Sequence, residues 1–154
     1  GRGINFDRSQ NMIVSQILKD KGHDVFTVSK ETLVSEISSL LATKRIGAVI
    51  VTDQNDSVEG IISERDIVNG LAKFGAGVLE KAAEELMTKN VITRELDVHI
   101  DELMLEMTNS RIRHVPILDD GKLAGVISIG DVVKSRVEEL ESEGNMLRDY
   151  IATG

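Results

Sequence analysis

The sequence predicts an α/β (α+β) fold built from two tandem repeats, and three observations support this prediction. Hydrophobic residues make up 41% of the 154 residues but aromatic residues only 3%, so the core is aliphatic, which suits parallel strands covered by helices. A string at residues 60–66 returns at residues 125–131 with the same order of glycine, two apolar β-branched residues, serine, two variable positions and aspartate. The predicted helices and strands around this string also follow the same order in both halves of the chain.

The first half is predicted to run as helix, strand, helix, strand, strand and helix. Apolar residues three and four positions apart predict the helices, and short apolar runs bounded by turns predict the strands. Ser63 precedes the last helix of this half and is its expected N-cap. The predicted bounds are a helix over residues 12–18, a strand over 25–28, a helix over 31–41, strands over 46–51 and 58–62, and a helix over 63–74.

The second half repeats this order after a break at residues 75–77. A repeat of about 60 to 65 residues has a marginal core by itself, so the repeats are expected to share an interface, where a ligand cleft is also expected. The predicted organisation is repeat 1 at residues 11–75, repeat 2 at 78–142 and a C-terminal helical tail at 143–154. The expected elements are a helix over residues 78–87, a strand over 91–93, a helix over 100–107, strands over 114–118 and 123–127, and a helix from Ser128 that Gly144 breaks.

Ser63 and Asp66, like Ser128 and Asp131, fit the capping-box pattern of a serine followed three residues later by an acidic residue. The simplest interpretation is two ordinary helix N-caps. The functional interpretation is a nucleotide-sized site, because a helix N-terminus attracts phosphate and a nearby carboxylate accepts hydrogen bonds from a ribose diol. The duplication favours the functional interpretation. Both are compatible, since a capped helix keeps spare N–H groups.

The strings around these junctions resemble a known family. Residues 45–53 and 60–66, and residues 85–93, 111–119 and 125–131, are similar to repeats of the cystathionine-β-synthase (CBS) domain. Two such repeats form what is called a Bateman module, and the resemblance covers about residues 11–140. It implies βαββα repeats related by pseudo-two-fold symmetry, clefts between them for adenosine-containing ligands, and a flat homodimer of modules. The ligands implied are AMP, ADP, ATP, NAD(H) and S-adenosylmethionine.

The resemblance also implies which residues bind the ligand. Asp66 and Asp131 match the aspartate that holds the ribose hydroxyls, and Ser63 and Ser128 match the residue that contacts phosphate. The further matching positions are Thr27 and Thr93 near ribose and phosphate, and Gly47, Ala48, Arg113 and His114, which line the cleft. Each cleft is expected to mix residues of both repeats, and which threonine meets which aspartate stays open.

The two predicted sites are not equivalent. Arg65 lies two residues after Ser63, whereas Gly130 occupies that place in the second copy. Arg65 either points to solvent or binds phosphate, to which a guanidinium can donate two hydrogen bonds. His114 is either a structural histidine at a strand start or a phosphate contact that strengthens when protonated, and the first repeat has Ala48 in its place. The sites are therefore expected to differ in ligand or affinity.

Composition and charge narrow the possible functions. A net charge of −8 and a sequence pI near 4.9 argue against a general nucleic-acid binder. Cysteine is absent, and His23, His99 and His114 lie far apart in the sequence, so no metal site is expected. Neither a signal peptide nor a membrane-spanning run is apparent, which leads to the expectation of a cytoplasmic protein.

The leading hypothesis is a regulatory module, not an enzyme, that senses adenine nucleotides such as AMP, ATP or NAD(H) and reports to an unknown effector protein. No nucleophile in a local elbow sequence is apparent, so neither a catalytic residue nor a catalytic cofactor is expected. Two alternatives stay open. One is a structural dimerisation or protein-interaction module without bound nucleotide. The other is an enzyme, or a detached regulatory part of one.

Overall fold

A computed structural model of the chain describes residues 12–21 and 25–153, and its mixture of helices and strands confirms the predicted fold class. The helices are α1 (Val14–Lys21), α2 (Val34–Lys44), α3 (Glu64–Phe74), α4 (Ala83–Leu86), α5 (Ile100–Ser110) and α6 (Ile129–Thr153), with a 3-10 helix at Gly75–Glu80. The strands are β1 (Thr27–Val28), β2 (Ala48–Thr52), β3 (Val58–Ser63), β4 (Arg94–Glu95), β5 (His114–Asp119) and β6 (Lys122–Ser128).

The strands form two three-stranded sheets with the same internal order, β1-β2-β3 and β4-β5-β6. In each sheet a two-residue first strand runs parallel to the second, with Thr27 opposite Ile50 and Arg94 opposite Ile117. Strands β2 and β3 are antiparallel and place Ala48 opposite Ser63. The repeated strand order is the structural counterpart of the repeated sequence string.

The chain divides into two compact units whose limits differ from those of the sequence repeats. Unit 1 consists of Gly1–Gly22, Leu96–Val115 and Ile127–Gly154, and unit 2 consists of His23–Glu95 and Pro116–Val126. The capping-box residues of the first copy therefore belong to unit 2, and those of the second copy belong to unit 1.

Unit 2 has an aliphatic core that covers one face of β2 and β3. The buried residues of α2 recur at a spacing of three and four, and the three central residues of β2 are all buried. Burial of each large side chain contributes about 1.5–3 kcal/mol. Ser63 follows the buried Ile62 and is only partly buried, so β3 ends where the chain leaves the core. The cluster consists of Val34, Ile37, Leu41, Val49, Val51, Ile62, Ile67 and Ala83.

Unit 1 is organised around its three helices. Backbone hydrogen bonds join α1 to the segment before α5, from Val14 N–H to the Val98 carbonyl (3.0 Å) and from Ile100 N–H to the Met12 carbonyl (2.8 Å). An ion pair of 3.6 Å joins Arg136 of α6 to Asp101 of α5. The fully or nearly fully buried apolar side chains of these helices are Val14, Ile17, Leu18, Ile100, Leu103, Met107 and Val132.

Helices α2 and α5 end in the same way. Each is followed by an arginine in the left-handed conformation, Arg45 with φ 55° and Arg111 with φ 55°. The next residue then donates to the helix's last turn, from Ile46 N–H to the Leu41 carbonyl (3.1 Å) and from Ile112 N–H to Met107 (3.0 Å). This matches the left-handed helix ending that usually takes glycine. The structural similarity of the two halves therefore extends to helix ends that lie outside the repeated sequence string.

Two predicted elements of the second half are wrong. The helix expected over residues 78–87 is a 3-10 helix followed by the four-residue α4. The chain between them is extended because it pairs with the start of α2, through Val34 N–H to the Lys81 carbonyl (2.9 Å) and Ala83 N–H to Thr32 (2.8 Å). The strand expected over residues 91–93 lies instead at Arg94–Glu95, since those residues are opposite Ile117 and Leu118 of β5.

The expected helix break at Gly144 is also wrong, because α6 continues through it to Thr153. A glycine inside a helix costs only about 1 kcal/mol relative to alanine. The strong helix formers before it, such as Glu138, Glu139 and Glu141, offset that cost.

Gly60 of β3 provides a test of packing in unit 2. A Cβ added there would lie 2.6 Å from Met87 Sδ and 3.0 Å from the Thr88 carbonyl oxygen. We expect Gly60→Ala to lower the free energy of unfolding by about 1–3 kcal/mol, measured by urea denaturation, because the added atom overpacks a filled site. The matched control is Gly77→Ala, since a Cβ there has no atom within 4 Å. Equal effects of the two substitutions would contradict this account.

Candidate functional site

The first capping box joins β3 to α3 in unit 2. Ser63 N–H donates to Asp66 Oδ2 (2.9 Å), and Asp66 N–H donates to Ser63 Oγ (3.3 Å). The Ser63 hydroxyl also donates to Asp66 Oδ2 at 3.1 Å. The predicted N-cap is confirmed, and the reciprocal bonds hold the half-buried Asp66 carboxylate at the helix N-terminus.

Gly47 and Ala48 lie beside this box because of the β2–β3 register. Ala48 is opposite Ser63, and Glu64 N–H donates to the Gly47 carbonyl at 3.0 Å. The structure thus brings together four of the predicted ligand residues, Gly47, Ala48, Ser63 and Asp66. Arg65 follows on the exposed side of the first turn of α3.

The second capping box joins β6 to α6 in unit 1. Ser128 N–H donates to Asp131 Oδ2 (2.8 Å), and Asp131 N–H donates to Ser128 Oγ (3.1 Å). Ile129 N–H donates to the Arg113 carbonyl at 2.8 Å, the same bond that Glu64 makes to Gly47 in the first copy. Arg113 is exposed, and the next residue, His114, is partly buried. The predicted correspondence between Gly47 and Arg113 therefore holds in the backbone hydrogen bonds.

The second box has a cationic neighbour that sequence reasoning missed. Lys21, the last residue of α1, donates from Nζ to Asp131 Oδ2 at 2.7 Å. The pair is partly exposed, with 36% of the Lys21 side chain and 22% of the Asp131 side chain accessible. A lysine in the last turn of a helix is common because it complements the helix dipole. The pattern therefore gave no reason to connect Lys21 with a residue 110 positions later.

The two boxes have the same remaining hydrogen-bonding capacity at the carboxylate. In both, Oδ2 accepts the bonds of the box, and no described residue donates to Oδ1 of Asp66 or Asp131. The Ser63 hydroxyl hydrogen is used by Asp66. The Ser128 hydroxyl likewise donates to the Asp131 side chain, and this bond helps to lower the pKa of Asp131. Each box therefore offers one carboxylate oxygen, Oδ1, to which no described residue donates.

The two predicted threonines lie elsewhere in unit 2. Thr27 lines a cavity of about 520 Å³, and Thr93 is partly buried just before β4. Within unit 2, neither threonine hydrogen-bonds to Ser63 or Asp66. The other residues that line the cavity are Val25, Thr52, Asn55, Asp56, Lys122 and Leu123.

A second cavity of about 280 Å³ lies in unit 1 and contains none of the predicted ligand residues. Burial and the neighbouring charges of Asp101 and Glu143 raise the pKa of Glu139, one of the residues that line it.

Over residues 12–21 and 25–153, no group of three His, Cys, Asp or Glu side chains is arranged to hold a metal ion. His23 lies outside the described residues. Among the described helices, none has the length and apolar character needed to cross a membrane.

The surroundings of Asp131 lower its pKa. Burial alone raises that pKa, but the hydrogen bond from Lys21, the hydrogen bond from Ser128 N–H and the Lys21 charge together outweigh burial. The folded protein therefore favours the ionised carboxylate more than the unfolded chain does. The resulting stabilisation is fully present above the pKa of the unfolded chain, and is lost as the pH falls through the lower pKa of the folded protein.

We expect Asp131→Asn to lower the free energy of unfolding by about 1 kcal/mol at neutral pH, because it removes the charge that Lys21 and the Ser128 N–H stabilise. The difference from the unsubstituted protein should shrink as the pH falls from about 5 to about 3, since the unfolded aspartate titrates near 3.9. Urea denaturation at several pH values measures this difference in the free energy of unfolding. Asp119→Asn, at an exposed position at the end of β5, is the control. A difference that stays constant with pH would contradict this account.

Comparisons with known proteins agree with this geometry. The family model of the CBS domain matches residues 14–73 and 83–138. An uncharacterised protein of Methanopyrus kandleri is 35% identical over 112 residues, which cover 72% of this chain and 57% of that protein. This chain thus spans little more than half the length of that relative.

Solved structures of CBS-domain proteins have the same fold. The CBS-domain protein ATU1752 of Agrobacterium tumefaciens is 45% identical with a TM-score of 0.77, over 80% of this chain and 92% of that one. The CBS domain pair of protein MJ0100 is 27% identical with a TM-score of 0.72, over 80% of this chain and 94% of that one. That pair was solved in complex with 5′-methylthioadenosine and S-adenosyl-L-methionine. The duplicated junctions, the repeated sheets and the family match together show that this chain belongs to the CBS domain family and contains a pair of CBS domains.

Proposed function

We propose that this chain is a regulatory module that binds adenosine-containing ligands in clefts between its two CBS repeats. The observation that carries the proposal is the duplicated box, Ser63–Asp66 and Ser128–Asp131, at a helix N-terminus. A helix N-terminus favours phosphate, and an aspartate with an open Oδ1 accepts from a ribose hydroxyl. The complex of the related MJ0100 pair with two adenosine derivatives supports the same ligand class.

In this proposal Asp66 and Asp131 bind ribose, and the adjacent helix N-termini bind phosphate. Each serine hydroxyl donates to the aspartate of its own box and must release that aspartate before it can donate to a ligand. We assign the residues beside these junctions to the same sites, which are Gly47, Ala48, Arg65, Arg113 and His114. The family resemblance adds Thr27, which lines the unit 2 cavity, and Thr93, which precedes β4.

The unit 2 cavity supports a site with contributions from both repeats. Thr27 and Thr52 come from the first matched segment, and Lys122 and Leu123 come from the second. A volume of about 520 Å³ lies within the usual range of small-molecule pockets.

We keep residues 11–75 and 78–142 as the proposed repeats, with 143–154 as a helical tail.

The proposed mechanism is differential binding, not catalysis. A ligand that prefers one arrangement of the module shifts the population toward it, and a partner protein reads the difference. The described parts of both sites contain hydrogen-bond donors and acceptors suited to holding a ligand. In both boxes the serine hydroxyl accepts from the backbone N–H of the aspartate, as in a helix cap.

Isothermal titration calorimetry with AMP, ATP, NADH and S-adenosylmethionine tests the proposal. We expect saturable binding by at least one of them, and a raised melting temperature in its presence, because a ligand that binds only the folded state stabilises it. Asp66→Asn and Asp131→Asn should each weaken one site by about tenfold or more, since each removes a charged acceptor while the amide oxygen preserves the helix cap.

Asp119→Asn makes the same chemical change outside the boxes and should leave binding unaltered. Failure of all four ligands to bind would overturn the proposed function. The outcome would then favour the alternative of a structural interaction module without nucleotide.

Exposed apolar faces on two helices support homodimer formation. On α6, Val133, Val137 and Leu140 are 49%, 45% and 55% exposed, and their spacing places them on one helical face. On α3, Val68, Leu71 and Phe74 are 63%, 40% and 44% exposed. Apolar patches of this kind on soluble proteins mark interaction surfaces. We therefore propose that these two faces pack against a second copy of the chain.

Val137→Asp tests the dimer, because a buried, unpaired carboxylate is costly at an apolar interface. We expect sedimentation velocity to show a shift from dimer to monomer. The control is Leu105→Asp on α5, where a 62%-exposed leucine has no second exposed large apolar residue on its helix. The same sedimentation coefficient for both variants and the unsubstituted protein would contradict the proposed interface.

A further inference from the structure

We propose that Lys21 makes the Asp131 site selective for adenosine ligands that carry phosphate. The inference rests on the proposed function, and it assigns a ligand class to one of the two sites. Lys21 lies outside the repeated string and belongs to α1. Its effect therefore distinguishes the second site from the first.

The ion pair blocks part of the carboxylate that a ribose needs. Oδ2 of Asp131 accepts from Lys21 Nζ at 2.7 Å and from Ser128 N–H at 2.8 Å. The first hydroxyl of a ribose diol can donate to the open Oδ1, but the second can reach the carboxylate only at Oδ2, where it takes the place of the ammonium. A ligand that binds Asp131 through both ribose hydroxyls consequently has to displace Lys21 from Oδ2.

The displaced ammonium favours a ligand with negative charge. A neutral nucleoside breaks the Lys21–Asp131 pair without providing a new anion, whereas a phosphate accepts a charge-assisted hydrogen bond from the same ammonium. A sulfonium ligand would bring a second positive charge near Lys21, which is unfavourable. The order of preference expected at this site is therefore phosphorylated ligands, then neutral nucleosides, then sulfonium compounds.

The start of α6 leaves room for such a phosphate. A Cβ added at Gly130 would meet only one atom within 4 Å, Ser128 Oγ at 3.6 Å, so the first turn is open at this position. The Ser128 hydroxyl lies beside the Asp131 carboxylate and donates a hydrogen bond to it. Hydroxyl, helix N-terminus and ammonium thus lie around the same carboxylate.

The first box lacks this arrangement. Asp66 has no ion-pair partner among residues 12–21 and 25–153, and its Oδ2 accepts only from Ser63. A neutral nucleoside therefore meets no competing cation at Asp66. The two sites of one chain are expected to select different members of the same ligand class.

The experiment compares adenosine with ATP at the Asp131 site alone. Calorimetry is carried out on Asp66→Asn protein, in which the first site is weakened, with and without Lys21→Met. Methionine keeps the length and apolar stem of lysine but removes its charge. After Lys21→Met we expect adenosine to bind about threefold more tightly, because it no longer has to break the exposed Lys21–Asp131 ion pair. We expect ATP to bind about tenfold more weakly, because its phosphate loses the charge-assisted hydrogen bond from Lys21. S-adenosylmethionine should gain affinity like adenosine.

Lys19→Met is the matched control, since Lys19 is an exposed lysine in the same last turn of α1 and changes the net charge equally. Lys21→Arg should restore the preference for ATP because it keeps the charge. An unchanged ratio of ATP to adenosine affinity in Lys21→Met, or an equal change in Lys19→Met, would overturn the inference while leaving the proposed function intact. If Asp66→Asn binds no ligand but the unsubstituted chain does, the Asp131 box is not a site and the inference is also wrong. Absence of binding to the unsubstituted chain overturns both proposals.

Discussion

A reciprocal pair of hydrogen bonds between a serine and the aspartate three residues later is the interaction on which the rest of each junction depends. It ends a strand, starts a helix, and fixes the carboxylate at the helix N-terminus. The bond from the next backbone N–H to the Gly47 or Arg113 carbonyl then attaches the start of each helix to the neighbouring strand segment. Each cap contributes only about 1 kcal/mol to the free energy of unfolding, yet it fixes where the strand ends and where the helix begins.

In the proposed function, one carboxylate serves both stability and binding. Oδ2 of Asp66 and of Asp131 accepts the bonds of the cap, and Oδ1, to which no described residue donates, is the oxygen proposed to accept first from a ligand. A site held on a strand end and a helix start is rigid before the ligand arrives, so little ordering cost remains at binding. Because the same aspartate forms the cap and the proposed ligand contact, an alanine substitution of Asp66 or Asp131 would remove both at once. Asparagine, which keeps the cap acceptor, separates the two effects.

The sequence was sufficient to predict the local features and insufficient for those that depend on distant neighbours. Both capping boxes, the α3 bounds and the strands β3, β5 and β6 follow from short-range patterns, and the structure has them within about two residues. The helix predicted over residues 78–87 failed because Lys81 and Ala83 make backbone bonds to the start of α2, a tertiary pairing that apolar periodicity does not encode. Lys21 was missed for the same reason: its partner is 110 residues away, and nothing in the α1 pattern indicates it.

The proposed difference between the two sites has its origin in those distant neighbours. The strings Gly60–Asp66 and Gly125–Asp131 give nearly the same backbone bonds, so their shared part cannot distinguish two ligands. Arg65 and Gly130 differ within the string, but Arg65 is exposed on the first turn of its helix. Lys21 Nζ is 2.7 Å from Oδ2 of Asp131, whereas Asp66 has no ion-pair partner among the described residues. Under the proposed function, the two copies can therefore differ in ligand without a change in the motif, because a single charge from a flanking helix alters what the carboxylate must release before it binds.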